Sequence, residues 1–143
     1  MLQSIVVSRL ALAIVALCGP LALASPAAAQ TKLPYGCACV NNETTLRIGF
    51  RYRFGNKPFS SSKIASRGSS WICHTYPRGS ASSPDLQFMM DVDARNGKEA
   101  WTTYSLVRGQ SRARSCSAVP RLAQYGVRYR AGTNNQIIEL YKR

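Results

Sequence analysis

The stretch from Leu46 to Phe54 constrains the fold more tightly than any other part of this chain. Leu46, Ile48, Phe50, Tyr52 and Phe54 occupy every second position, and Arg47, Arg51 and Arg53 stand between them. Side chains of an extended strand alternate between two faces, so this pattern predicts a half-buried strand with a basic outer side. Similar segments follow at Trp71 to Tyr76, at Leu86 to Asp93, at Ala100 to Val107, at Tyr125 to Arg130 and at Ile137 to Tyr141. Between them lie turn and loop signals: Gly55-Asn56 and a Ser-rich loop over 60–70, then Pro77 with Arg78-Gly79, then the hairpin dipeptide Asn96-Gly97. An irregular basic loop over 108–120 and a turn at Gly132-Thr133-Asn134-Asn135 complete the set. No segment has convincing helical amphipathicity. The expected fold is all-β, a single antiparallel β-sandwich or small barrel of six to seven strands.

Residues 1–29 are excluded from that reading. Arg9 precedes an apolar run from Leu10 to Leu23, and the segment ends in Ala27-Ala28-Ala29. This is the pattern of a signal peptide cleaved after Ala29, leaving a single domain over 30–143. Cys18 follows Leu17, where a lipoprotein anchor needs a small residue. The mature chain has no second apolar run long enough to span a membrane. Export to the periplasm or beyond the cell is expected.

Four cysteines then remain, Cys37, Cys39, Cys73 and Cys116. An even number in a small exported domain predicts two disulfides pinning the fold. On a strand, Cys37 and Cys39 face the same way, and a bridge between them would be strained. Each is therefore expected to pair at long range, one with Cys73 and the other with Cys116. Zinc is disfavoured because the paired Cys-x-x-Cys spacing is missing, and no metal or cofactor is expected.

The charge is lopsided. The chain has 143 residues with 19 Lys or Arg against 6 Asp or Glu, a formal net charge of +13. Losing Arg9 leaves the mature domain at +12, with 13 of its 18 basic residues arginine. Arg47, Arg51 and Arg53 share one strand face, Arg128 and Arg130 share another, and Arg112, Arg114 and Arg121 crowd the loop around Cys116. Such a field attracts polyanions in a salt-dependent way. Arg47, Arg51, Arg53, Arg128 and Arg130 are the candidate anion-binding residues, and Arg51, Arg53, Arg128 and Arg130 are expected to lie together on one exposed side free of carboxylates. Solubility of an outer sheet face is the competing explanation. The aromatic set Phe59, Trp71, Trp101 and Tyr104 would suit a sugar site, but tryptophan and phenylalanine in a small β-domain are first expected in the core.

Catalytic chemistry is sparse. His74 is the single histidine; a small nuclease-like or glycan-cleaving hydrolase would have to pair it with Glu43, Glu99 or Glu139. No Gly-x-Ser-x-Gly frames a serine nucleophile. Asp91 to Gly97 resembles the start of a calcium loop, but Arg95, Asn96 and Thr102 stand where ligands or glycine are needed. Asn42-Glu43-Thr44 is a glycosylation acceptor by pattern alone. Cys39 to Gly55 and Cys116 to Gly132 align without gaps, sharing Cys, Gly, Arg-Tyr-Arg and Gly. They are expected to hold equivalent places if the repeat is structural.

Cys37-Ala38-Cys39-Val40-Asn41-Asn42, Trp101-Thr102-Thr103-Tyr104 and Gly132-Thr133-Asn134-Asn135 resemble motifs in a group of small exported bacterial proteins without assigned activity. The resemblance implies no catalytic or binding residue. The expected function is therefore a non-catalytic β-domain contacting anionic envelope or extracellular polymers through Arg-bearing strands, without a nucleic-acid module signature. The alternatives are a secreted hydrolase using His74 and a protein-binding or inhibitory module.

Overall fold

In the computed structural model, residues 35–76 and 84–143 are described. The expected signal segment and the turn at Pro77 to Gly79 lie outside them. The strands are β1 (Tyr35–Asn42), β2 (Ile48–Phe54), β3 (Ser60–Ile64), β4 (Ser69–Thr75), β5 (Leu86–Asp91), β6 (Trp101–Leu106), β7 (Gly109–Ser111), β8 (Gln124–Tyr129) and β9 (Ile138–Lys142). One sheet runs β4-β1-β8-β9, with β7 also against β1; the other runs β3-β2-β5-β6.

The alternation read in the sequence explains why the sheets stack. Ile48, Phe50 and Phe54 from β2 and Leu86, Phe88 and Met90 from β5 are buried in one cluster with Ala38 and Val40 of β1, Ile72 of β4 and Val127 of β8. Phe50 and Phe88 stack with centroids 5.2 Å apart at its centre. Both sheets therefore turn one apolar face inward, the arrangement of a sandwich.

The expected disulfide-pinned all-β fold is the one formed, with nine strands among the described residues rather than six or seven. The two extra strands are β3, read as a Ser-rich loop, and β7, read as part of an irregular basic loop. Four of five β3 residues are exposed, because an edge strand needs a partner on one side only and tolerates serine. The β7 strand is three residues long and is held by its ladder to Tyr35–Cys37. Nor is the pairing wholly antiparallel, since β8 runs parallel to β1 over Cys39–Asn42. The chain between β7 and β8 folds back over the outer face of β1 through two short 3₁₀ turns at Cys116–Ala118 and Arg121–Ala123. It thus returns beside β1 in the same direction.

That return also explains why Cys37 to Val40 is buried on both faces. Ala38 and Val40 enter the main core, whereas Cys37 and Cys39 join Val119 and Ala123 in a second cluster. Cys37 bonds Cys73, its direct cross-strand neighbour on β4, and Cys39 bonds Cys116. Both long-range pairings expected from the strand argument are present, and the zinc reading falls because all four thiols are used. Such bonds persist in oxidising compartments. Among the described residues no helix is long and apolar enough to cross a membrane.

Asn96-Gly97 does not form a two-residue hairpin. The strands end at Asp91 and Trp101, and a wider loop carries a turn closed by Lys98 N–H to Arg95 C=O at 3.2 Å. The internal repeat is partial. Gly55 and Gly132 both take left-handed backbone after an inner strand, at φ 56° and 75°. Cys39, however, lies in a strand and Cys116 in a 3₁₀ turn, and β2 and β8 belong to different sheets.

Candidate anion-binding face

Register fixes the outer face of the β3-β2-β5-β6 sheet. Ser61, Arg51, Met89 and Thr103 form one row across the four strands, and beyond it Lys63 pairs with Gly49 and Asp91 with Trp101. Arg53 and Gln87 pair on the other side of that row. The Arg51 guanidinium lies 4.4 Å from the centroid of Trp101, and that of Arg53 lies 4.6 Å from the centroid of Phe59. Arg53 Nε also donates to Gln87 Oε1 at 2.8 Å. Cation–π stacking holds these side chains flat without cancelling their charge. Among the described residues, Arg47, Arg51, Arg53 and Lys63 form no ion pair with a carboxylate.

Arg128 and Arg130 do not join this array, against expectation. Tyr125, Val127 and Tyr129 of β8 belong to the core, so the two arginines point away from it on the opposite side of the sandwich. Glu139, facing Arg128 in the β8–β9 register, takes both: 2.9 Å to Arg128 Nε and 3.5 Å to Arg130 Nε. The sequence separated the strands but not the sheets, so five arginines split into a free set and a paired set. Arg114 of the loop, stacked on Tyr35 at 5.1 Å and donating to Thr75 Oγ1 at 3.2 Å, keeps its charge but stands against β1 and β4 of the other sheet.

The aromatic residues correct a second expectation. Trp71 is 51% exposed and Phe59 36% exposed, and Trp101 is only half buried. Tyr104 alone of that set packs against the core. Trp71 and Trp101 sit on outward positions of the two end strands, β4 and β6, and Phe59 immediately precedes β3. Alternation carries all three out of the interior.

Two depressions lie here, one on this face and one at the end of the sandwich beside it. One, of about 270 Å³, is lined by Arg51, Ser61, Ser62, Lys63, Glu99 and Trp101. The other, of about 260 Å³, opens at the adjoining end of the sandwich, where Arg47, Asp93, Arg95 and Lys98 surround the core residues Ile48 and Ile138, and both share Gly49 and Asp91. Lys63 and the role of Gly49 were missed in the sequence. Lys63 fell in a segment read as loop, and an isolated glycine in a strand signals only that something approaches closely or a space is left open.

No protein-family model, curated protein or solved structure matches this chain.

The other chemical candidates are absorbed into the architecture. His74 stacks edge-on to Phe54 at 5.0 Å, and its Nδ1 has no hydrogen-bond partner among the described residues. Each carboxylate considered for it has a partner elsewhere. Glu43 accepts from Tyr141 Oη at 2.7 and 2.8 Å, Glu99 accepts from Trp101 Nε1 at 3.1 Å, and Glu139 holds the β8 arginines. The hydrogen bond to Glu43 also raises the Tyr141 pKa, because the neutral phenol is the donor. Asn42 is 2% exposed, and its amide is consumed by backbone contacts; the glycosylation pattern falls on a structural residue.

Asp91 and Asp93 likewise serve the loop instead of a cation. Asp91 Oδ1 accepts from the N–H groups of Asp93 and Ala100. Asp93 Oδ1 accepts from Arg95 N–H and Nε, and Oδ2 pairs with Arg95 Nη2 at 2.5 Å. These bonds, the Arg95 side chain first, lower the Asp93 pKa from 3.8 to about 2. A depressed acid stabilises the fold above its unfolded pKa and loses that contribution as pH falls through the folded one. The loop at Asp93 to Lys98 is therefore expected to loosen between about pH 4 and pH 2. Amide chemical shifts of Arg95 and Lys98 should titrate in that window, and Asp93→Asn should abolish the transition. Unchanged shifts down to pH 2 would refute the pairing.

Proposed function

We propose that this chain is an exported, non-catalytic domain that binds anionic envelope or extracellular polymers through the outer face of the β3-β2-β5-β6 sheet. Arg51 and Arg53 make the central contacts, with Arg47 and Lys63 beside them. One observation carries the reading: two guanidinium groups rest on aromatic rings without a carboxylate partner. These cationic side chains are already ordered on their aromatic neighbours, so binding sacrifices little rotamer freedom. Encounter with a polyanion is steered by the same field and weakens as salt shortens its range, to about 10 Å at 0.1 M.

Heparin, used as a generic polyanion, tests the assignment. Arg51→Glu with Arg53→Glu is expected to lower its affinity by more than about tenfold at low salt. Arg128→Glu with Arg130→Glu should have a much smaller effect, since Glu139 already offsets those charges. The reverse order would move the site to the other sheet, and wild-type binding indifferent to salt would end the reading.

A further inference from the structure

We infer that this face and the end of the sandwich beside it hold two adjoining sugar subsites that meet over Gly49, and that their ligand is an acidic polysaccharide. The inference rests on the proposed anion-binding role of the face and specifies its ligand.

The geometry begins with a missing side chain. Gly49 points outward on β2, in register with Lys63 on β3 and at the boundary shared by both depressions. A Cβ placed there would meet nothing within 4 Å, so packing does not demand glycine. Its backbone also avoids the left-handed region, so conformation does not demand it. What glycine provides is continuity. The depressions, about 270 and 260 Å³, each fall short of the roughly 300–1,000 Å³ usual for a ligand site. Because Gly49 and Asp91 line both, a ligand crossing Gly49 from one depression to the other would meet space in that range.

The lining selects the class of polymer. Arg51 and Lys63 supply cationic donors, Ser61 and Ser62 supply hydroxyls, and Asp91 and Glu99 supply acceptors. A nucleic-acid strand presents one charge about every 3.4 Å, and two carboxylates within the groove would oppose so dense a line. A sugar chain bears hydroxyls that donate to carboxylates and spaces its acidic groups no closer than one per ring. Trp101 adds an aromatic surface at the edge, with Arg51 already seated against it. Mixed donors and acceptors around isolated cations thus match an acidic glycan better than a nucleic acid.

Trp71→Phe leaves Trp101 as the single tryptophan, and its fluorescence reports occupancy. Mono-, di- and tetragalacturonate, hyaluronate oligosaccharides and an oligothymidylate are the probes. Affinity for galacturonate should rise steeply from one to two units and little thereafter. Gly49→Leu should lower digalacturonate affinity by about tenfold or more without shifting the unfolding midpoint, and Gly49→Ala should fall between. Sensitivity to Arg51→Glu combined with indifference to Gly49→Leu would overturn the paired subsites and leave the anion-binding face standing. Indifference to both variants would remove the face itself. Tighter binding of oligothymidylate, or failure of both glycans to bind at low salt, would overturn the polysaccharide assignment.

Discussion

Replacing Cys39 and Cys116 together by alanine is expected to cost this protein about 4 to 5 kcal/mol of stability. The bond closes a separation of 77 residues, and in the chain-entropy model a loop of that size restrains the unfolded ensemble by roughly that amount. The native state loses more. Cys39 and Cys116 belong to the small cluster in which Val119 and Ala123 cover the outer face of β1, and that covering segment has only short 3₁₀ turns of its own. Without the bond, the segment is anchored mainly by Gln124 Nε2 to Val119 C=O, by Ser111 Oγ to Ala113 and Ala118 carbonyls, and by apolar contact.

Removing Cys37 and Cys73 should cost less, about 3 to 4 kcal/mol, because the separation is 36 residues. Those two residues are also held in place by seven register pairs between β1 and β4. Domains of this size are stable by about 5 to 15 kcal/mol, so loss of the Cys39–Cys116 bond should remove a large share of the total. Denaturant unfolding of both double variants under non-reducing conditions measures the order. A Cys39/Cys116 variant within about 1 kcal/mol of the parent, or one more stable than the Cys37/Cys73 variant, would contradict this account.

The same contrast between local and long-range order explains what the sequence revealed. Strand faces were legible because alternation is a local property: Phe50, Phe88, Met90 and Val127 are buried where their spacing placed them. Long-range pairing of Cys37 and Cys39 was legible because, two apart on a strand, they exclude each other; which of them takes Cys73 was settled only by the β1–β4 register. Sheet membership was not legible. Chain-adjacent β1 and β2 enter different sheets, and nothing in the period of either strand encodes that crossing. The basic faces of β2 and β8 therefore looked equivalent until β8 proved to lie on the other side. Glu139 shows a related limit, because its pairing with Arg128 depends on β8–β9 register across an intervening turn. Lys63 was hidden for another reason, since edge strands carry little propensity signal.

Asn42 is the residue whose sequence context misleads most, and Asn42→Ala is expected to destabilise the fold by about 3 to 4 kcal/mol. Its side chain uses every group it has. Nδ2 donates to the carbonyls of Leu46 at 2.6 Å and Ala65 at 2.9 Å, while Oδ1 accepts from Thr44 N–H at 3.0 Å and Thr44 Oγ1 at 2.7 Å. Thr44 is fully buried, and its hydroxyl in turn accepts from Leu46 N–H at 3.1 Å. Asn42 thereby ties the corner between β1 and β2 to the loop after β3, and so joins the two sheets at the point where the chain crosses between them. Alanine leaves two carbonyls and a buried threonine short of partners, each unpaired group costing about 1 to 3 kcal/mol less whatever water recovers. Asn42→Asp discriminates between packing and hydrogen bonding. It preserves shape and the acceptor for Thr44 but turns a carboxylate oxygen toward two carbonyls, so the loss should be larger at neutral pH than in acid, where a protonated oxygen donates again. Equal stability of the aspartate variant at pH 7 and pH 4, or an alanine variant within about 1 kcal/mol of the parent, would show that this corner is held by something other than the amide.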